Sequence, residues 1–237
     1  METSRLWENI ERLDAREGNL SAASDSRDGR IIEIIEELSR QLAFAKSPGR
    51  LAWADSVSMG RSWRTVPSDE CFVRGKKLYL AKRMHDKLEP EEWRPILASS
   101  LILKWRLEGS VKRTILIRIV LPLFLLFAFS TSLLVVFGLS SSDQITAGQR
   151  WIFGFNFATL LALVIIPGFS YGSYYQEAKL VADRQAADLV GRQAFLDALR
   201  KIDMMGLRDV EKAKAKHRWT PRVGIERRIK NLRDNYK

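Results

Sequence analysis

Apolar positions along this chain follow three rhythms. Over residues 31–45, Ile31, Ile32, Ile34, Ile35, Leu38, Leu42 and Phe44 recur at intervals of three and four, predicting a packed helix that ends before Ser47-Pro48-Gly49. Glu33, Glu36 and Glu37 on the same segment weigh against a membrane-surface helix, because anionic lipid would repel them. Over residues 51–80 the rhythm shortens. Leu51–Ala54, Arg61–Val66 and Cys71–Val73 are strand-like, with Pro67-Ser68-Asp69-Glu70 supplying turn chemistry. Leu78, Leu80, Met84 and Leu88 return to helical spacing, so a helix is expected over 78–88.

The next helix runs through 89–109. Pro90, Glu91 and Glu92 suit a helix start, and Trp93, Ile96, Leu97, Leu101 and Trp105 form its apolar face. Pro95 removes an amide donor, so the regular part is expected to begin nearer Arg94.

The third rhythm is no rhythm at all. Ile119–Gly138 and Trp151–Tyr171 are uncharged runs without a polar face, and roughly 20 apolar residues cross a ~30 Å hydrocarbon layer as a helix. They predict a transmembrane hairpin. Beyond it, Leu180, Ala187, Val190 and Ala194 continue a helix interrupted at Gly191, and Phe195, Leu196, Leu199 and Ile202 form another that ends near Gly206. At the other end, Arg5–Glu17 suits a short surface helix and Gly18–Gly29 a linker, and the mixed, charged opening METSRLWENI does not read as a signal peptide.

Four regions follow: a polar extension over 1–30, a first half-domain over 31–113, the hairpin within 114–172, and a second half-domain over 173–237 with a basic tail. Charge adds an orientation. Lys and Arg exceed Asp and Glu by 14 to 8 over 51–118 and by 16 to 9 over 172–237, whereas 119–171 holds one of each. The positive-inside rule then places both termini in the cytoplasm, with the chain integral to an inner or plasma membrane. The basic tail from Arg208 onward carries no nucleic-acid motif, so its expected partners are lipid headgroups or an acidic protein surface rather than nucleic acid.

Chemistry is sparse. The single Cys71 has no disulfide partner in the chain, and His85 and His217 stand alone, without carboxylate or thiol at ligand spacing.

The order of parts nevertheless resembles a family. Phe72-Val-Arg-Gly-Lys-Lys-Leu78, then Leu88-Glu-Pro-Glu-Glu-Trp-Arg-Pro-Ile-Leu-Ala98, an apolar hairpin, Lys179-Leu-Val-Ala-Asp183-Arg-Gln-Ala-Ala-Asp-Leu-Val-Gly191, and Thr220-Pro221 with Glu226-Arg-Arg-Ile229-Lys-Asn-Leu232 are similar to successive segments of the HtpX-like membrane zinc metallopeptidases. In that family the Val-Arg-Gly segment is expected on a helix. The resemblance spans about residues 31–232. It implies a mainly α integral membrane protein, its hairpin inserted in a gluzincin-like α+β cytoplasmic domain with a small sheet.

The family's H-E-x-x-H supplies two imidazoles one helical turn apart and a Glu base. Ser99, Ser100 and Leu103 stand in those places, and Lys179 stands where the resemblance implies a third, Glu ligand. Asp183 is retained, where the family would use it to support a metal-bound histidine; here it is expected to pair at i,i+4 with Lys179. The resemblance thus implies a catalytically inactive member, with no zinc, no other cofactor and no catalytic residues. It would act as an accessory subunit of a membrane complex, or as a regulator that binds the substrates of an active protease. The enzymatic alternative is a serine–lysine site formed by Ser99 or Ser100 with Lys179, which needs an activated lysine and oxyanion donors that the sequence does not display. A pocket lined by Ser99, Ser100, Leu103 and Lys179 is expected between the two helices.

Overall fold

The computed structural model describes residues 26–44, 47–59, 62–140, 147–214 and 222–234. The expected Arg5–Glu17 helix, most of the 18–29 linker, His217 and the Thr220-Pro221 pair lie outside them.

The chain is mainly helical. Helix α1 (Ser26–Gln41) starts earlier than the apolar spacing indicated, with Asp28 in its first turn accepting the Trp53 indole N–H at 3.0 Å. It also ends earlier than Ser47. Ala43 adopts φ 53°, and Phe44 N–H reaches back to the Ser39 carbonyl at 2.9 Å, a reversal that satisfies the last carbonyls. Ile31, Ile34, Ile35 and Leu38 bury one face of α1 completely.

Five strands follow: β1 (Arg50–Trp53), β2 (Ser56–Met59), β3 (Ser62–Thr65), β4 (Phe72–Arg74) and β5 (Lys77–Leu80). β2 and β3 form a separate antiparallel pair, while β5 lies between a parallel β1 and an antiparallel β4. The expected helix over 78–88 is therefore corrected to a strand followed by a short 3₁₀ turn at Lys82–Met84. Leu78, Tyr79 and Leu80 are all buried, and a central strand covered on both faces loses the alternation that would identify it. The Val-Arg-Gly segment is likewise a hairpin rather than a helix, with Gly75 at φ 58° in the two-residue loop between Arg74 and Lys77.

Helix α2 (Pro90–Ile102) begins at Pro90, not near Arg94. Glu89 and Glu92 cap each other reciprocally, and this outweighs the donor missing at Pro95; the carbonyl that Pro95 frees belongs to solvent-exposed Glu91. From α2 the helix continues without a break through a π turn (Leu103–Leu107), α3 (Glu108–Ile115) and a second π turn (Leu116–Val120) into α4 (Leu121–Ser140).

Helix α5 (Ala147–Val190) returns antiparallel to α4. Its 44 residues extend about 66 Å, more than twice the ~30 Å hydrocarbon layer. The two uncharged runs thus lie in two helices long and apolar enough to cross a membrane. Phe124, Phe129, Phe157 and Val164 stand exposed along them, whereas Ala178, Ala182 and Ala186 further along α5 are buried against the domain. Within the hairpin, Ser130 and Thr131 hydroxyls donate to the Asn156 side-chain oxygen at 2.7 and 3.1 Å.

Gly191, at φ 94°, separates α5 from α6 (Arg192–Met204); α7 (Arg208–Lys214) and α8 (Ile225–Asp234) complete the chain. Helix α8 packs on α5 and α6, bringing the end of the sequence back to the centre of the domain.

Candidate functional site

Helices α2 and α5 pack side by side and bring Ser99 and Ser100 opposite Lys179 and Asp183. Small residues allow a close approach: Ala98 on α2 and Ala178, Ala182 and Ala186 on α5 are all buried. Among these alanines α5 carries two charged residues that are completely buried, Lys179 and Asp183.

Asp183 is the better satisfied of the two. Ser99 Oγ donates to its Oδ1 at 2.5 Å, and the Arg228 guanidinium grips both oxygens, Nε to Oδ2 at 2.7 Å and Nη2 to Oδ1 at 3.0 Å. Burial by itself would raise the Asp183 pKa. The charge of Arg228, then that of Lys179, and the hydrogen bonds from Arg228 and Ser99 reverse this and hold the carboxyl below its ordinary value. Arg228 is in turn raised: burial opposes its charge, but the attraction of Asp183 and Asp69 prevails.

The pair continues into a network. Arg228 Nη1 donates to the Asp69 carbonyl at 2.8 Å, and Arg222 bridges Asp69 at 2.7 Å and Asp209 at 3.0 Å. Asp209 also accepts from Ser68 N–H at 2.9 Å and from Arg83 Nε at 3.1 Å. The Pro67–Glu70 turn, α5, α7 and α8 are thereby held by alternating charges. Phe195 lies under the Arg228 guanidinium at 5.6 Å, which suits a weakly hydrated planar cation.

Two sequence-based expectations are corrected here. Asp183 does not pair with Lys179; its partner is Arg228, 45 residues further on, and the carboxylate within ion-pair distance of Lys179 Nζ is Glu70, at 3.5 Å. The basic tail is also not wholly a surface for lipid or partner, since Arg228 is fully buried and Arg222 largely so. Arg228 was detectable: it interrupts the apolar stripe Ile225–Leu232 on α8 at helical spacing, where a charge is retained only with an internal partner. Asp69 carries no comparable signal, because a polar turn ordinarily faces solvent.

A cavity of about 200 Å³ opens beside this network. Ser100, Leu103 and Lys179 line it as expected, but Ser99 does not; its hydroxyl is turned onto Asp183. Ser100 Oγ accepts the Cys71 amide at 3.3 Å, and burial pushes the Cys71 thiol up to about 11. Lys179 Nζ is buried and has no hydrogen-bond partner among the described residues, neither serine included.

The donor set does not fit the zinc ion that active members of the resembling family hold. A hydroxyl (Ser99), an isobutyl group (Leu103) and an amine (Lys179) stand in the three ligand places and a second hydroxyl (Ser100) in that of the base, while the adjacent carboxylate, Asp183, is already saturated by Arg228 and Ser99. Among the described residues no three His, Cys, Asp or Glu side chains are grouped to hold a metal ion. His85 sits instead at the edge of the domain, against Asp86 at 2.6 Å and the Trp53 ring.

No family model, curated protein or solved structure matches the chain.

Proposed function

We infer that this chain is an integral membrane protein whose helical hairpin anchors a catalytically inactive, metallopeptidase-like domain, both termini facing the cytoplasm. It serves as an accessory subunit or binding partner in a membrane complex. The observation that carries this reading is the fate of Asp183: its carboxylate is fully engaged by Arg228 and Ser99 beside positions that offer hydroxyl, alkyl and amine groups instead of metal ligands. A site arranged in this way ties α2, α5 and α8 together, and Asp183, held by Arg228 and Ser99, is not free to serve as a general base. The anchoring part rests on the two long apolar helices, the exposed Phe and Val side chains along them, and the basic flanks.

A serine–lysine enzyme is the second reading, favoured by Ser100 and Lys179 lining one cavity. The absence of a hydrogen bond from Lys179 to either serine weighs against it, since the base of such a dyad must reach its hydroxyl.

The test pairs two measurements on protein extracted from its own membrane in mild detergent. Native mass measurement is expected to find it bound to other subunits, and assays on membrane and soluble protein substrates to find no cleavage. A free monomer contradicts the subunit reading. Cleavage that disappears in a Ser99→Ala/Ser100→Ala variant contradicts the inactive one.

A further inference from the structure

The cavity beside Ser100 is lined by a buried amine, that of Lys179. Lys179 Nζ, on a side chain that is completely buried, donates to no group among the described residues, and Glu70, at 3.5 Å, neutralises it without taking a hydrogen bond. An ammonium carries three donors, and leaving them all unused at a buried site is strongly unfavourable unless something else accepts them.

The walls of the cavity indicate what that acceptor is. Arg64, Lys104, Lys112 and Lys179 line it against only two carboxylates, Glu70 and Glu108. Glu108 is shared by Lys104 at 2.8 Å and Lys112 at 2.7 Å, so the excess of positive charge remains on the cavity. The donors come from β3, from the α2–α3 helix and from α5. Such divergent donors match the spread oxygens of a tetrahedral anion better than the single plane of a carboxylate. At about 200 Å³ the space lies below the ~300–1,000 Å³ of sites for drug-sized ligands, which fits a compact charged group rather than a peptide segment.

Its position matters as well. Tyr171 closes the second apolar run and, with Tyr175 one turn on and its ring 5.7 Å away, lines the cavity. Lys112 lies about two turns before the first run begins. The cavity is thus at the foot of the hairpin, on the domain side.

We propose that this cavity is a phosphoryl-anion site, with Lys179 as its central donor and Arg64 and Lys112 at its rim. The anion is either the headgroup of an anionic phospholipid or a free small phosphate, and the lipid source alone rests on the reading that the hairpin crosses a membrane.

The experiment uses full-length protein purified in neutral detergent and washed free of lipid. Inorganic phosphate and short-chain phosphatidic acid are titrated at constant ionic strength, with calorimetry and thermal unfolding as readouts. At least one probe is expected to bind and to raise the unfolding temperature, and Lys179→Met is expected to weaken binding by about tenfold or more. Binding of phosphatidic acid alone assigns the site to lipid; equal binding of both assigns it to free phosphate. No binding by either probe, or unchanged binding in Lys179→Met, overturns the proposal. Arg64→Gln, an exposed change that leaves the core intact, keeps the test decisive if Lys179→Met does not fold: it must weaken binding by a factor of a few, and unchanged affinity again overturns the site. Carbonate washing of membranes tests the hairpin separately. Protein released by the wash fails the membrane reading while leaving phosphate binding to stand or fall by itself.

Discussion

Arg228 and Asp183 form a two-point ion pair in which neither side chain is exposed to solvent. The pair fastens α8 to α5 in the middle of the domain, and its strength lies in completeness: Asp183 also receives Ser99, and Arg228 also reaches Asp69. Removing one member leaves a buried charge unpaired, which typically costs ~3–5 kcal/mol, whereas replacing both with apolar residues of similar size is often near neutral.

Arg228→Met is therefore expected to lower the thermal unfolding temperature sharply, and Arg228→Met/Asp183→Leu to recover most of the loss. Thermal unfolding of the four proteins of this cycle measures the coupling. Additive losses would show that the two side chains act independently. Arg228→Lys is expected to behave more like Arg228→Met than like the parent chain, because one ammonium nitrogen cannot reproduce the planar fork that holds both Asp183 oxygens while a third N–H group reaches Asp69.

Stability should also fall in acid in a defined window. Asp183 and Asp209 both titrate below the ordinary 3.8 in the folded chain, so the unfolded state takes up their protons first. Their contribution is fully present above the unfolded carboxylate range, near 4, and is lost as pH falls through the depressed folded values. Denaturant midpoints measured from pH 7 down to 2 should decline mainly below about pH 4.5, and Asp209→Asn should flatten that decline.

Some of this architecture is legible in the sequence and some is not, for physical reasons. The hairpin helices are legible because Ile119–Gly138 and Trp151–Tyr171 contain no charge and no polar face. Helix α6 is legible because Phe195, Leu196, Leu199 and Ile202 fall on one stripe, all of them buried. Strand β5 is not, since Leu80, Met84 and Leu88 recur at a helical interval and Tyr79, buried between Leu78 and Leu80, removes the deciding alternation. The Asp69–Arg228 contact spans 159 residues, and no local spacing encodes it. The seam of α2 against α5 is an expectation that rests on the resemblance of segments, whereas its chemistry depends on a third helix whose charged residue the sequence places in a basic tail.

Cys71 should be inert. Burial raises its thiol to about 11, so at neutral pH very little thiolate is present to react. Iodoacetamide labelling of the native protein at pH 7.5 is expected to be negligible and to become rapid in denaturant. Fast labelling of the folded chain would mean that the Cys71–Ser100 contact opens readily.

In the hairpin, Asn156 accepts from Ser130 and Thr131 across the two helices and donates to its own Ile152 carbonyl. Polar contacts of this kind between helices in a bilayer contribute about 0.6 kcal/mol on average and up to about 2. Asn156→Ala is expected to weaken the α4–α5 association by an amount in that range, measurable as the affinity between the two helices expressed as separate fragments in micelles. An unchanged affinity would show that these hydrogen bonds do not hold the hairpin together.

On the proposed reading an ion pair, and not a metal, joins α2, α5 and α8 where they meet. Zinc content of the full-length protein, isolated from its native membrane without chelator and measured by mass spectrometry against protein concentration, tests it most directly. Substoichiometric zinc is expected, unchanged when Ser99 and Ser100 are both replaced by alanine. One zinc ion per chain, lost in that variant or in Asp183→Asn, would contradict it.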